Sequence, residues 1–158
     1  MIPDGIEILL VDDSSADVEL TLHALRQNSM VNCIHVARDG EEALNFLFCR
    51  EPFQERADEP LPRLILLDLK MPKVDGLSVL RTLKGDPRTR YIPVIILTAS
   101  KEEKDLVKSY DLGVNSYIQK PVDFDQFRET VRTLGLYWLL VNQAAPRQTL
   151  DTFTEKSG

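Results

Sequence analysis

Five short aliphatic runs punctuate the chain, at residues 6–12 (IEILLVD), 33–37 (CIHVA), 64–68 (LILLD), 93–98 (PVIILT) and 115–119 (NSYIQ). Most are nearly continuous in apolar residues rather than alternating, the pattern of strands buried on both faces. Between them apolar residues recur at helical steps. Val18, Leu22 and Leu25 do so in the first interval, residues 41–49 and 77–84 form the next two, and Phe127, Val131, Leu134 and Trp138 follow Pro121 in the last. Ser14 and Ser15 are placed to cap the first helix. Ser100 and Glu103 form the S-x-x-E capping box of the fourth, which Gly113 is expected to end. Five strands alternating with five helices predict a parallel sheet, covered on both faces and wound by right-handed crossovers. The stretch 51–62 (EPFQERADEPLP) is polar and proline-punctuated, and reads as a long exposed loop. Residues 1–142 then form one domain, and 143–158 a polar tail without periodicity, expected to be flexible.

Three carboxylates fall where two strands stop: Asp12 and Asp13 after the first, Asp68 after the third. The carboxyl ends of the strands in an open parallel sheet border the ligand crevice. A carboxylate pair about 4 Å apart costs roughly 4 kcal/mol at an effective dielectric of 20, so a hard divalent cation is implied. The plainer reading, that each acid caps its loop, is disfavoured because later strands converge on the same point. Thr98 ends the fourth strand and Lys120 follows the fifth. Carboxylates and waters suit Mg2+, while a hydroxyl and an ammonium can hydrogen-bond a phosphoryl group. Together they describe phosphoryl transfer to a carboxylate. In a sheet ordered 2-1-3-4-5, Asp68 is the most central acid and the nucleophile.

Composition narrows the rest. With 158 residues and 43% of them hydrophobic, the chain has the size of one globular domain. Its longest apolar stretch, LGLYWLLV, is far short of the roughly 20 residues of a membrane span, and the N-terminus lacks a signal-peptide pattern; a cytoplasmic protein is expected. A net charge of −6 and no basic stripe argue against direct nucleic-acid binding. Cys33 and Cys49 lack metal-ligand spacing and read as free packing thiols, and His23 and His35 as ordinary surface or packing residues.

Four motifs in order, DD at 12–13, LLDLKMPKVDG at 66–76, TAS at 98–100 and YIQKP at 117–121, resemble the receiver domain of two-component response regulators. The resemblance spans roughly residues 6–140. It implies a flavodoxin-like fold and phosphorylation of Asp68 by a histidine kinase. Mg2+ would be held by Asp13, Asp68 and the backbone carbonyl of Lys70, with Asp12 assisting through water. It also implies a cis peptide before Pro121 and a switch pair, Thr98 and Tyr117: the hydroxyl moves to the phosphoryl group and the ring turns into the space it leaves. The plain alternatives are a half-buried strand aromatic for Tyr117, a β-branched strand end for Thr98 and a solvated lysine for Lys120. Lys70 departs from the shorter polar residue often found there, and its ammonium could screen the phosphoryl group or simply be solvated.

The long loop, SYDLGVNSYIQKP and FRETVRTLGLYWLLVN resemble small stand-alone regulators associated with bacterial phytochromes, including the cyanobacterial type. That implies a phytochrome-type kinase, signalling by contact with an unidentified downstream protein, and no enzymatic turnover beyond self-phosphorylation and autodephosphorylation. Leu106, Phe124, Tyr137 and Leu140 lie off the expected inward stripes and are expected to form a homodimer interface. Two other readings compete. An Mg2+-dependent aspartyl-phosphate phosphatase resembles D-x-D-x-T at the first strand, where this chain has VDDSS. A non-phosphorylated docking module predicts damaged acids or lysine, and all are intact.

Overall fold

The aliphatic runs become strands because both of their faces are covered. In a computed structural model, which describes residues 8–26, 33–55, 61–69, 71 and 75–133, the strands are β1 (Ile8–Val11), β2 (Ile34–Ala37), β3 (Leu64–Asp68), β4 (Val94–Thr98) and β5 (Ser116–Gln119). The helices are α1 (Ser15–Leu25), α2 (Gly40–Leu47), α3 (Gly76–Gly85), α4 (Lys101–Tyr110) and α5 (Phe124–Thr133). All four strand pairings are parallel, and the sheet order is β2-β1-β3-β4-β5. The expected flavodoxin-like architecture is thus what the chain adopts.

Successive strand residues point to opposite faces, which divides the interior in two. Ile8, Leu10, Leu64, Leu66, Ile95, Leu97 and Ile118 pack with Val18, Ala24 and Leu25 of α1 and with Phe127 and Val131 of α5. Leu9, Val11, Ile65, Leu67, Val94 and Ile96 pack on the other face against α2, α3 and Val107 of α4. Neither face of β1, β3 or β4 is wet, so the period of two is absent from those runs.

All five helices begin at side-chain caps; for α5 it is Asp123, whose carboxylate accepts from the N–H of Gln126 at 2.8 Å. In the other four, Ser14, Asp39, Asp75 and Ser100 accept from the backbone N–H groups of Asp17, Glu42, Ser78 and Glu103, respectively, satisfying donors that a helix start leaves without partners. At Ser100 the capping box is modified, because the Glu103 carboxylate reaches back to the N–H of Ala99 at 2.9 Å.

Several boundaries depart from expectation. α4 ends at Tyr110 rather than running to Gly113, because Asp111 takes up the left-handed conformation (φ 48°) and terminates it; Gly113 (φ 80°) belongs to the following turn. α2 stops at Leu47, and Cys49 is itself left-handed (φ 55°). Residues 56–60 of the expected 51–62 loop lie outside the described residues, and the part that follows α2 is not merely exposed: Phe53 meets Phe46 edge-on at 5.3 Å, and His35 stacks on Phe46 at 4.0 Å. His35 is a packing residue, as expected, and both cysteines are half-buried and outside any disulfide.

Phe124 requires a correction. Expected at the surface, it is only 7% exposed and packs with Val122, Phe127 and Val131. The reason is helical phase: Phe124, Phe127 and Val131 follow three- and four-residue steps and form one stripe. Leu106, by contrast, is 54% exposed beside buried Val107. Tyr137, Leu140, Leu134, Trp138 and the 143–158 tail lie outside the described residues. Among those that are described, no helix is long and apolar enough to cross a membrane.

Candidate functional site

Strand register assembles the site. Val11 pairs with Leu67, which brings Asp12 abreast of Asp68, and Asp68 pairs with Leu97, so Thr98 lies one step beyond it. Thr98 pairs with Gln119, and Lys120 follows, its backbone N–H donating to the Thr98 carbonyl at 2.8 Å. The Lys120–Pro121 peptide is cis. Asp12 is fixed from both ends: its N–H donates to the Ala37 carbonyl at 3.0 Å, and its Oδ1 accepts from the N–H of Ser14 at 3.0 Å.

Opposite the acids, α3 starts unusually close to the β3 end. The Gly76 N–H donates to the Leu69 carbonyl at 2.9 Å. A Cβ on Gly76 would stand 2.3 Å from the Asp68 carbonyl oxygen, so only glycine fits without displacing the chain.

Asp12, Asp13 and Asp68 each direct a carboxylate oxygen to one point, all within 4.8 Å of one another. Asp13 is exposed, whereas Asp12 is fully buried and Asp68 nearly so. The Lys120 ammonium lies 3.1 Å from Asp12 Oδ2, 3.2 Å from Asp68 Oδ1 and 3.0 Å from Asp17 Oδ2. Its approach to Asp12 Oδ2 is an ion contact, not an aligned hydrogen bond, and that buried oxygen has no hydrogen-bond donor. A buried anionic oxygen without a donor is costly, and a cation beside it removes the cost. Three converging carboxylates are the hard-oxygen set that divalent ions of the Mg2+ or Mn2+ kind accept.

The electrostatics follow from the crowding. Burial, then the charge of Asp12, pushes the Asp68 carboxyl up to about 6 against the opposing pull of Lys120. Burial alone would lower the Lys120 ammonium, but its bonds to the neighbouring acids, Asp17 first, outweigh this and hold it above its usual range. Lys120 therefore stays charged.

Of the residues expected from sequence, Asp12, Asp13, Asp68 and Lys120 converge, and Thr98 is buried at the adjoining strand end. Tyr117, three residues before Lys120, packs against the α2/α3/α4 side of the interior. Its half-buried ring lies 5.4 Å from the Lys104 ammonium and 5.9 Å from that of Lys108, both on α4. Burial raises its hydroxyl pKa. Lys70 lies outside the described residues. Asp17 was missed: as an acid in a first helical turn it reads as a routine helix-dipole residue, and the only available signal was its place one helical turn after Asp13.

Comparison with known proteins agrees with this geometry. Residues 8–132 match the response regulator receiver domain family. The structure of AtBRR, described as a bacteriophytochrome response regulator, superposes with a TM-score of 0.80 at 50% identity, covering 89% of this chain and 99% of AtBRR. The response regulator Rcp1 of Synechocystis sp. is 39% identical over 84% of this chain and 88% of its own length. A Mn2+-bound crystal structure of Rcp1 superposes with a TM-score of 0.68 at 36% identity, covering 87% of this chain and 96% of that one. FilR2 of Methanothrix harundinacea, named a probable methanogenesis regulatory protein, is 40% identical over 89% of this chain and 88% of its own length.

Proposed function

The chain belongs to the response regulator receiver domain family, and we propose that it accepts a phosphoryl group from a histidine kinase on Asp68, with Mg2+ bound beside it. The observation that carries this reading is the convergence of Asp12, Asp13 and Asp68 on one point with the Lys120 ammonium 3.2 Å from Asp68. Asp12, Asp13 and Asp68 would hold the ion, and the family resemblance adds the Lys70 carbonyl. When bound, Mg2+ would supply positive charge that offsets the repulsion between the carboxylates and an incoming phosphoryl group.

An Asp68 carboxylate oxygen is the nucleophile. Lys120, kept protonated by its acidic neighbours, donates to a phosphoryl oxygen and offsets charge that grows there. Thr98, at the next strand end, offers its hydroxyl to a second oxygen. That movement opens space along β5 for the Tyr117 ring, which shifts relative to Lys104 and Lys108 and alters the surface of α4 and β5. A downstream protein then reads that surface. A phytochrome-type kinase is favoured because AtBRR carries that description at 50% identity.

Mass spectrometry after acetyl phosphate treatment tests the acceptor. One phosphoryl adduct is expected, absent in Asp68→Asn and absent when the metal is chelated; an adduct retained by the variant refutes the assignment. Continuous hydrolysis of a small phosphate ester would instead favour a phosphatase. Incubation with labelled histidine kinases, phytochrome-type kinases among them, tests the donor: the cognate kinase should lose its label fastest.

A further inference from the structure

We propose that Asp17 is a positioning residue for phosphoryl transfer, holding the Lys120 ammonium at the acceptor while the groups around it change partners. The inference rests on the reading of Asp68 as acceptor. It starts from the three acids around Lys120. Asp17 Oδ2 lies 3.0 Å away and forms the aligned hydrogen bond, linking the first turn of α1 to the residue after β5, 103 positions along the chain. Asp12 Oδ2 and Asp68 Oδ1 complete the set at 3.1 and 3.2 Å. An ammonium has three N–H donors, and Asp17 takes one of them in an aligned hydrogen bond while Asp12 and Asp68 hold it by charge.

The three acids differ in what the reaction does to them. Asp12 and Asp68 belong to the cluster whose oxygens converge as cation ligands; Asp17 does not. With acetyl phosphate as donor, an Asp68 oxygen forms a bond to phosphorus. The bond from phosphorus to the acetyl oxygen breaks, and acetate leaves with that electron pair. The Asp68 carboxylate charge is consumed in the new acyl phosphate, and binding of the cation would claim Asp12. Among the described residues, Asp17 is the acid beside Lys120 that neither event claims.

Lys120 needs such an anchor because its charge sits on a flexible four-carbon stem, and its side chain is only 15% exposed among the acids. Held by Asp17, it keeps one donor fixed and turns another to the phosphoryl oxygens without reorganisation, which is where pre-organised charge lowers a barrier. Asp17 is itself 34% exposed in its side chain and sits in a capped helical turn, so its replacement should not disturb the core.

The test is the rate of acetyl phosphate labelling at saturating Mg2+, where a change in metal affinity does not register, on folded full-length variants. Asp17→Asn should slow labelling by about tenfold, the scale expected when a charged group is mispositioned. Asp17→Glu, which keeps the carboxylate, should recover at least about threefold of that loss. Glu19→Gln, an exposed acid elsewhere on α1, should label as wild type. In a Lys120→Met background Asp17→Asn should add nothing, because its effect passes through the missing ammonium. Wild-type rates in Asp17→Asn, a Glu variant as slow as Asn, or the same slowing without Lys120 would each overturn the inference. Wild-type protein that takes no label overturns the acceptor reading and this inference with it. Labelled wild type beside an indifferent Asp17→Asn overturns the inference alone.

Discussion

Gly76 and Asp68 are in backbone contact: a Cβ at position 76 would lie 2.3 Å from the Asp68 carbonyl oxygen and 2.7 Å from the Leu69 Cα. Both obstacles are main chain, so neither can rotate away. Gly76→Ala is therefore expected to displace the start of α3 or the acceptor strand end and to destabilise the fold by roughly 2 kcal/mol or more. At Gly85, the other end of the same helix, a Cβ would meet nothing within 4 Å. Gly85→Ala should be neutral or slightly stabilising. Thermal melts of the two variants, side by side, check the contrast.

Asp68 makes stability depend on pH in an unusual direction. Its carboxyl is raised from 3.8 to about 6 by burial first and the Asp12 charge second, so the fold favours the protonated form. The stabilisation is complete below about pH 4 and is lost as pH rises through about 6, a difference on the order of 3 kcal/mol. Urea unfolding of metal-free protein between pH 4 and 7 should show this decline in wild type, with a smaller one in Asp68→Asn. Mg2+ at pH 7 should restore much of the lost stability, because it binds the ionised form.

The reading of Thr98 and Tyr117 as a switch predicts a coupled response. A fluorotyrosine at position 117 should change its resonance when acetyl phosphate and Mg2+ are added. Thr98→Ala should still accept the phosphoryl group while that change shrinks by at least half. An undiminished change in the variant would detach Tyr117 from Thr98.

Self-association is a separate expectation, and Leu106 is its remaining described contact residue, since Phe124 lies in the interior. An exposed leucine on α4 suits the apolar centre of an interface. Leu106→Glu should weaken any dimer at least tenfold and leave Asp68 labelling intact. Sedimentation across micromolar concentrations, with and without acetyl phosphate, measures it; a monomeric wild type in both conditions removes the dimer.

What could be read in the sequence was whatever local pattern determines. Strand β3 was bounded correctly at Leu64–Asp68, and Ser14 and Ser100 cap the helices they were expected to cap. The acids and Lys120 were legible because strand ends in a parallel sheet share one edge. Helix termini were less so: a left-handed Asp111 ended α4 before the glycine that looked like its stop. Phe124 was misplaced because it was counted as preceding the inward stripe, whereas the cap at Asp123 starts α5 early enough to put Phe124 on that stripe, three residues before Phe127. The Asp17–Lys120 pairing was invisible because it joins α1 to the segment after β5, and no short-range rule relates the two.

The division of the interior by the sheet has a mechanical consequence at its β5 margin. Ile118 packs with α5 on one side, and its neighbour Tyr117 faces the α4 side on the other. α4 and α5 are thus like two pages on either side of a single cover, with only one strand at the spine. A partner that grips both must reach around the rim of the molecule, and any change in the side chains of β5 meets α5 at Ile118 and α4 at Tyr117. A signal written at the strand ends would then be legible as a difference between two surfaces, independent of where the molecule as a whole is held.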